Sequence, residues 1–202
     1  VNALSATLLA EYQKRKVAAF WTQVKGLTNN NFGYDNLAAG SDRPYGGTGS
    51  SYADPSLTSF MGTLSYTLLD RYTLNLTTRA DGSSMVGKDH TWGIFPSISA
   101  SWDLKKERFL RNCNTISLLN LRTGYGRSGN LGGISSYLTL RQYIPVGLVP
   151  YNGTPTVTMG TLRNSNPDLR WETRSTFNIG TDLGLFNNRL LLTAEYYYSK
   201  TT

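Results

Sequence analysis

The sequence predicts an all-β chain: an antiparallel up-and-down meander supplying about seven strands of a larger transmembrane β-barrel. Three observations lead there. Apolar and small polar residues alternate with period two through most patterned segments. The polar half of that alternation is Ser, Thr, Asn and Gly rather than Lys and Glu, and large aromatics gather near the segment ends. Composition agrees: 202 residues hold 20 glycines and 13 tyrosines with 16% charged residues, where an average soluble domain carries about a quarter.

The segments follow in order. Residues 3 to 25 put Leu4, Ala6, Leu8, Ala10 and Tyr12 on one face before the pattern blurs at "QKRKVAAF", giving one kinked strand or two. Leu64, Tyr66 and Leu68 oppose Thr63, Ser65 and Thr67; beyond "LLDRY", Tyr72, Leu74 and Leu76 oppose Thr73, Asn75 and Thr77. Ile98, Ala100, Trp102 and Leu104 oppose Ser97, Ser99, Ser101 and Asp103, and Leu121, Thr123 and Tyr125 oppose Arg122, Gly124 and Gly126. A turn-rich stretch to residue 169 precedes Phe177, Ile179 and Leu183 against Thr176, Asn178, Gly180 and Asp182. The "FNNR" reversal, whose Asn pair suits the positive φ of a tight turn, leads into Leu190, Leu192, Ala194, Tyr196 and Tyr198.

Link lengths carry topology. They run long (about 27 to 56), tight, medium (about 85 to 92), medium (105 to 117), long (about 129 to 169) and tight. In a meander, parity then puts both tight turns and 105 to 117 at one end and the other links at the opposite end, the asymmetry of outer-membrane barrels. Trp92 and Trp102 stand ten residues apart on one strand, about 23 Å of height in a strand tilted by roughly 45°, close to the ~25 Å apolar band of such barrels. Tyr72, Trp92, Trp102, Trp171, Tyr196 and Tyr198 are therefore candidate girdle residues.

Other classes find little support. A net charge of +7 is spread along the chain without a basic face, so nucleic acid is not an expected partner. A soluble β-sandwich, a carbohydrate-binding or surface-interaction module, remains the alternative; it would need polar faces richer in Lys, Glu and Arg. The single cysteine, Cys113, excludes an internal disulfide, and His90, the only histidine, has no ligand or base partner nearby in sequence. No catalytic residue, metal or cofactor is expected. No run approaches the ~18 to 20 apolar residues of a spanning helix, and no signal peptide opens the chain. Because it starts and stops inside patterned segments, residues 1–202 are expected to be a fragment.

Particular strings sharpen this. "RADGSSMVGKDHTWGIFPSISASWDLKKERFL", "LLNLRTGYGRSGN" and "NPDLRWETRSTFNIGTDLGLFNNRLLLTAEYYYSKTT" stand in that order. Together they resemble consecutive blocks near the C-terminal end of SusC/RagA-like TonB-dependent outer-membrane transporters. The resemblance implies a fragment of the C-terminal β-barrel domain of an about 22-stranded plugged barrel, here without its plug domain and signal peptide. It further implies the outer membrane of a Gram-negative bacterium, with outer-membrane lipid around it, a SusD-like lipoprotein and the TonB complex as partners of the full-length protein, and a glycan or peptide as substrate.

Within that frame the candidate lumen or substrate-facing residues are Arg79, Asp81, Arg122, Arg127, Asn130 and Glu172. Charges on the inward face either tune selectivity or tie strands together as ion pairs. Glu172, Asp182 and Glu195 read as isolated lumen charges, and the glycines of "GYGRSGN" as places where the wall thins or bends. The loop "NNNFGYDNLAAGSDRPYGGTGSSY" is a candidate substrate-facing lid.

The alternation makes a direct prediction. In the full-length protein, Ile98→Arg should block outer-membrane assembly, because an arginine facing lipid near the midplane costs about 2–4 kcal/mol. Ser99→Arg should be far better tolerated. Heat-modifiable gel mobility reads folding for both; equal defects would contradict the assigned faces.

Overall fold

The computed structural model describes residues 2–29, 31, 33–44 and 46–202. Its main element is a seven-stranded antiparallel sheet in the order β1(Ala3–Lys14), β4(Ser56–Leu68), β5(Tyr72–Ser83), β6(Trp92–Asp103), β7(Ile116–Asn130), β10(Glu172–Leu185), β11(Leu190–Thr201). From β4 onward every neighbour in the sheet is the next long strand in the chain, as in a meander. The two tight turns share one end: Leu69 and Asp70 take φ of 54° and 56°, and Phe186, Asn187 and Asn188 take 54°, 57° and 61°. The connection 104 to 115 lies there too, with Asp103 N donating to Arg71 O and Phe186 N to Thr115 O. The parity argument therefore holds.

The opening segment resolves into two strands. β1 breaks at Arg15 and Lys16, opposite Asp54 and Pro55, and the hairpin resumes in the same register as β2(Val17–Thr22) paired with β3(Thr48–Ala53). Part of the expected long link is thus paired strand. A second hairpin, β8(Gln142–Tyr151) with β9(Thr154–Arg163), occupies the stretch read as merely turn-rich. Its Asn152–Gly153 turn has φ of 50° and 77°, the left-handed pair that an Asn-Gly step adopts at low cost.

One face of the main sheet is predominantly apolar through its middle rows. The register aligns Leu64, Leu76, Ile98, Tyr125, Phe177 and Tyr198 in one row, and Tyr66, Leu74, Ala100, Thr123, Ile179 and Tyr196 in the next. These residues are open to the surroundings: Leu76 is 41% exposed, Ile98 46% and Ile179 50%. Among the described residues no helix or second sheet covers this face, so the second layer that a sandwich requires is lacking. Among the described residues only two large apolar side chains, Val86 and Phe95, are buried, so this sheet carries no core of its own.

The sheet is tilted with respect to its ends. The row starting at Tyr72, beside the first tight turn, passes through Trp102, Leu121 and Thr181 and reaches β11 at Ala194, well short of the turn at Phe186–Arg189. Turns at one end but in different rows are the stagger that tilted barrel strands produce.

At the long-loop end the strings that stood out in the sequence meet. The β6–β7 ladder stops at Ser97–Gly126, next to Pro96, which has no amide hydrogen to donate. Beyond it the strands part, and Phe95 fills the space. Its ring meets Trp171 edge-on at 5.4 Å, and a Cβ on Gly129 would stand 2.2 Å from its Cζ. Trp171 Nε1 donates to Thr91 O, and Gly87 N donates to Leu169 O at 2.8 Å. A Cβ at Gly87 would fall 1.9 Å from Pro167 O, so only glycine permits that approach. The "FPS", "GRSGN" and "NPDLRWE" strings are one packing cluster.

Gly129→Ala should therefore destabilise the full-length protein by about 1–3 kcal/mol through overpacking, and adding Phe95→Leu should recover part of that loss. The temperature at which heat-modifiable mobility disappears measures both. A silent Gly129→Ala would mean that Phe95 is free to turn away.

Candidate functional site

The face opposite the apolar one is built from short polar side chains that pair across strands. Thr63 and Thr77 hydroxyls lie 3.1 Å apart, Thr67 and Thr73 3.2 Å, and Asn75 Nδ2 donates to Ser99 Oγ at 3.3 Å. Such pairs satisfy their own polar atoms and leave a thin, hydrated surface.

Two charge clusters stand on it. Toward the long-loop end, Arg79 Nε donates to Asp81 Oδ1 at 2.7 Å, its Nη2 to Ser59 Oγ at 3.0 Å, and Glu11 Oε2 lies 3.7 Å from the same guanidinium. Ser59 is fully buried and Asp81 nearly so, so this cluster ties β1, β4 and β5 together. Further along the sheet Arg122 reaches Asp182 at 3.3 Å and Glu195 at 3.4 Å. Thr193 Oγ1 donates to Asp182 and Asn178 Nδ2 to Glu195. Gly180 lies beneath, where a Cβ would come within 3.3 Å of the guanidinium. Asp182 and Glu195 are thus not isolated charges, as their scatter in sequence suggests, but two ion-pair partners of one arginine across β7, β10 and β11. Glu172 Oε2 accepts from Asn130 Nδ2 at 2.8 Å.

Two placements depart from the sequence reading. Arg127 pairs with Ser175 in the alternation of Tyr125 and Phe177, which belongs to the apolar face. It borders the polar side only because β7 has left β6 there, and together with Met61, Thr77, Arg79, Phe95 and Trp171 it lines a hollow of about 500 Å³. Trp171 is not an exposed girdle residue: it packs on Phe95 and is held by Thr91 O. Alternation assigns a strand face only while the strand stays in the sheet, and Trp171 precedes β10.

The other aromatics stand on the apolar face. Phe60 and Trp92 stack at 6.1 Å toward the long-loop end, and Tyr72 and Trp102 at 6.0 Å beside the tight turns. Tyr196 and Tyr198 are 64% and 62% exposed, and the tilt carries them above the level of the Phe186–Arg189 turn. Sequence reading missed the group that organises the tight-turn pair. Glu107, in the connection after β6, accepts from Tyr72 Oη at 2.6 Å, from Trp102 Nε1 at 3.1 Å and from Arg71 Nη1 at 3.0 Å. The Tyr72 hydrogen bond first, then that of Trp102, with Arg71 adding its charge, hold the Glu107 carboxyl below the usual carboxylate range. A pKa lowered by folding means that this contribution is fully present above the unfolded carboxyl's value of about 4.3 and is lost as the pH falls through the lower folded value.

His90 closes a short 3₁₀ turn, Lys88–His90, and no group of three potential metal ligands occurs among the described residues. Of the candidate lid, residues 29 to 52, Asn30, Phe32 and Tyr45 lie outside the described residues, Leu37–Ala39 forms a 3₁₀ turn, and the last part is β3. A different loop residue crosses the sheet end: Tyr137, between β7 and β8, donates its hydroxyl to Asp54 Oδ1 at 3.2 Å, across the ends of β5 and β6.

A tilted antiparallel wall, apolar and aromatic on one face and polar and ion-paired on the other, is a segment of a β-barrel of the membrane-spanning kind. The chain belongs to the family described as TonB dependent receptor-like, beta-barrel, which matches residues 4–202. It is 35% identical to TonB-dependent receptor P26 of Formosa agariphila over 95% of this chain and 19% of that protein. It is 38% identical to TonB-dependent receptor SusC of Bacteroides thetaiotaomicron over 72% of this chain and 15% of that protein. A solved structure of the RagAB peptide transporter matches with a TM-score of 0.81 at 25% identity, over 99% of this chain and 22% of that one. The SusC/RagA-like resemblance is borne out, and the chain spans about a fifth or less of the length of these relatives.

The Arg122 cluster yields a test. Arg122→Gln leaves two carboxylates facing each other and should cost the full-length protein about 1 kcal/mol, a modest figure because all three side chains keep water. The loss should grow at low salt, and Asp182→Asn with Glu195→Gln should reverse it. A triple variant as unstable as the single one would contradict charge pairing as the cause.

Proposed function

We propose that residues 1–202 are part of the C-terminal barrel wall of a TonB-dependent outer-membrane transporter that imports large nutrients, glycans or peptides. In this reading the apolar face stands in outer-membrane lipid and the polar face lines the lumen. The tight-turn end is periplasmic and the long-loop end, with the β8–β9 hairpin, is extracellular. The observation that carries it is the uncovered apolar face backed by a mainly polar one, together with the family to which the chain belongs. A wall so built lets lipid solvate one side and water the other, and closure of the barrel by the rest of the protein would pair the open edges of β1 and β11.

The inward charges take structural and steering parts. Arg79 with Asp81, and Arg122 with Asp182 and Glu195, hold the wall rigid at fixed positions while presenting charge to whatever passes. Asn130 and Glu172 stand near the lumen mouth, where a substrate first meets the wall. Peptides are the substrate class that the matching RagAB peptide transporter carries in its name, and glycans come from the SusC/RagA-like resemblance of the sequence blocks. Cooperation with a SusD-like surface lipoprotein and drive from the TonB complex belong to the same reading.

A strain deleted for the full-length gene should lose uptake of one class, labelled oligosaccharides or labelled peptides, by more than about tenfold, since passive entry of such bulky polar solutes is negligible. Loss of TonB function should have the same effect. Uptake of both classes that persists without the gene, or is indifferent to TonB, would overturn the proposal.

A further inference from the structure

The apolar wall is dented beside its tight-turn girdle. In the row Leu74, Ala100, Thr123, Ile179 the two middle residues are small, while Trp102 and Leu121 stand in the row next to them. The dent is a groove of about 480 Å³ lined by apolar atoms, the width of one or two missing side chains on a surface otherwise studded with large ones. At its rim Tyr72 and Trp102 aim their polar atoms at Glu107, whose charge Arg71 answers at 3.0 Å.

The chain then continues as Arg108, Phe109, Leu110, Arg111. Phe109 is 71% exposed. Arg108 and Arg111 are exposed as well, and neither guanidinium has a hydrogen-bond or ion-pair partner among the described residues. Their neighbours do have partners: Lys105 caps the carbonyls of Leu110, Arg111 and Cys113, and Lys106 pairs with Asp103. Two uncommitted cations with an exposed aromatic between them, directly after the residue that holds the girdle, suit the level where headgroups lie.

We propose that the groove and this connection form one binding site for an anionic glycerophospholipid of the periplasmic leaflet. An acyl chain lies over Ala100 and Thr123, the phosphate meets Arg108 and Arg111, and Phe109 seats at headgroup depth. The groove alone would take any acyl chain; charge complementarity with the two free arginines selects an anionic headgroup. The inference rests on the outer-membrane reading given above.

The test uses the full-length protein, purified in mild detergent and titrated with phosphatidylglycerol or phosphatidylcholine of identical acyl chains, with bound lipid counted by native mass spectrometry. Phosphatidylglycerol should hold at about tenfold lower concentration or better, given the roughly 1 kcal/mol that each basic residue contributes near an anionic surface. Arg108→Gln with Arg111→Gln should abolish that preference. Ala100→Phe, which fills the groove yet keeps the surface apolar, should weaken both lipids alike; if this variant fails to assemble, the arginine pair still decides. Equal binding of the two lipids by the unaltered protein, or a preference untouched by the double arginine variant, would overturn the site. A full-length protein recovered in soluble form without heat-modifiable mobility would overturn the membrane reading itself, and this site with it.

Discussion

Register governs this structure more than burial does. Side chains alternate strictly along each strand, so a slip of one residue between any two neighbours would carry a whole row such as Leu76, Ile98, Tyr125 and Phe177 to the other face and bring Thr, Ser and Asn in its place. In a globular protein a misplaced strand is opposed by a packed core. Here little is packed on either face, and the register is held by cross-strand pairs: the Thr63–Thr77 and Thr67–Thr73 hydroxyls, Asn75 on Ser99, and the two arginine clusters that each join three strands. Each is worth only a few tenths to one kcal/mol. Their number and their agreement in phase are what fix the two faces.

The two ends of the wall are finished differently, and the difference follows from what each must do. At the tight-turn end the strands turn back within a few residues, and a single carboxylate, Glu107, gathers two aromatic rings and an arginine at the edge of the apolar band. At the long-loop end β6 and β7 diverge after Ser97–Gly126, and the opening is packed by Phe95, Trp171 and the backbone at Gly129 and Gly87. That cluster ties the link before β6 to the one before β10 and to the end of β7, so the long excursion between β7 and β10 starts and ends on a rigid base. The hollow left beside it, with Arg79 and Arg127 on its walls, opens on the polar side.

Much of this was legible in the sequence because period-two alternation is a local property that a strand in a regular sheet must obey. The faces of β4, β5, β6, β10 and β11, the positive-φ turn at Asn187–Asn188 and the end to which each long link belongs all follow from it. What failed did so for separate reasons. Trp171 lies before β10 begins, where alternation assigns no face, whereas Arg127 stays paired with β10 and follows the phase of Tyr125, which the lumen assignment overrode because the residue is charged. The β8–β9 hairpin hid because Pro145, Pro150 and Pro155 break its alternation and β8 is apolar on both of its faces, although Asn152–Gly153 marked its turn. The convergence of Asp182 and Glu195 on Arg122 is a register property of three strands, and Glu107 is reached by Tyr72 from 35 residues away. Neither leaves a trace in local pattern. The string resemblance, by contrast, was informative because its residues pack on one another around Phe95.

The central claim is that the two faces of the sheet meet different solvents, and site-directed spin labelling measures this most directly. Cys113, the only cysteine of these 202 residues, and any cysteine elsewhere in the full-length protein are replaced by serine, and single cysteines are placed in turn at Leu74, Asn75, Leu76 and Thr77 of β5 and at Phe177, Asn178 and Ile179 of β10. In a reconstituted bilayer, collision with dissolved oxygen should be high at Leu74, Leu76, Phe177 and Ile179, and collision with a water-soluble nickel chelate should be high at Asn75, Thr77 and Asn178. Accessibility that fails to alternate, or that favours the nickel chelate at the leucines and at Phe177, would contradict the account.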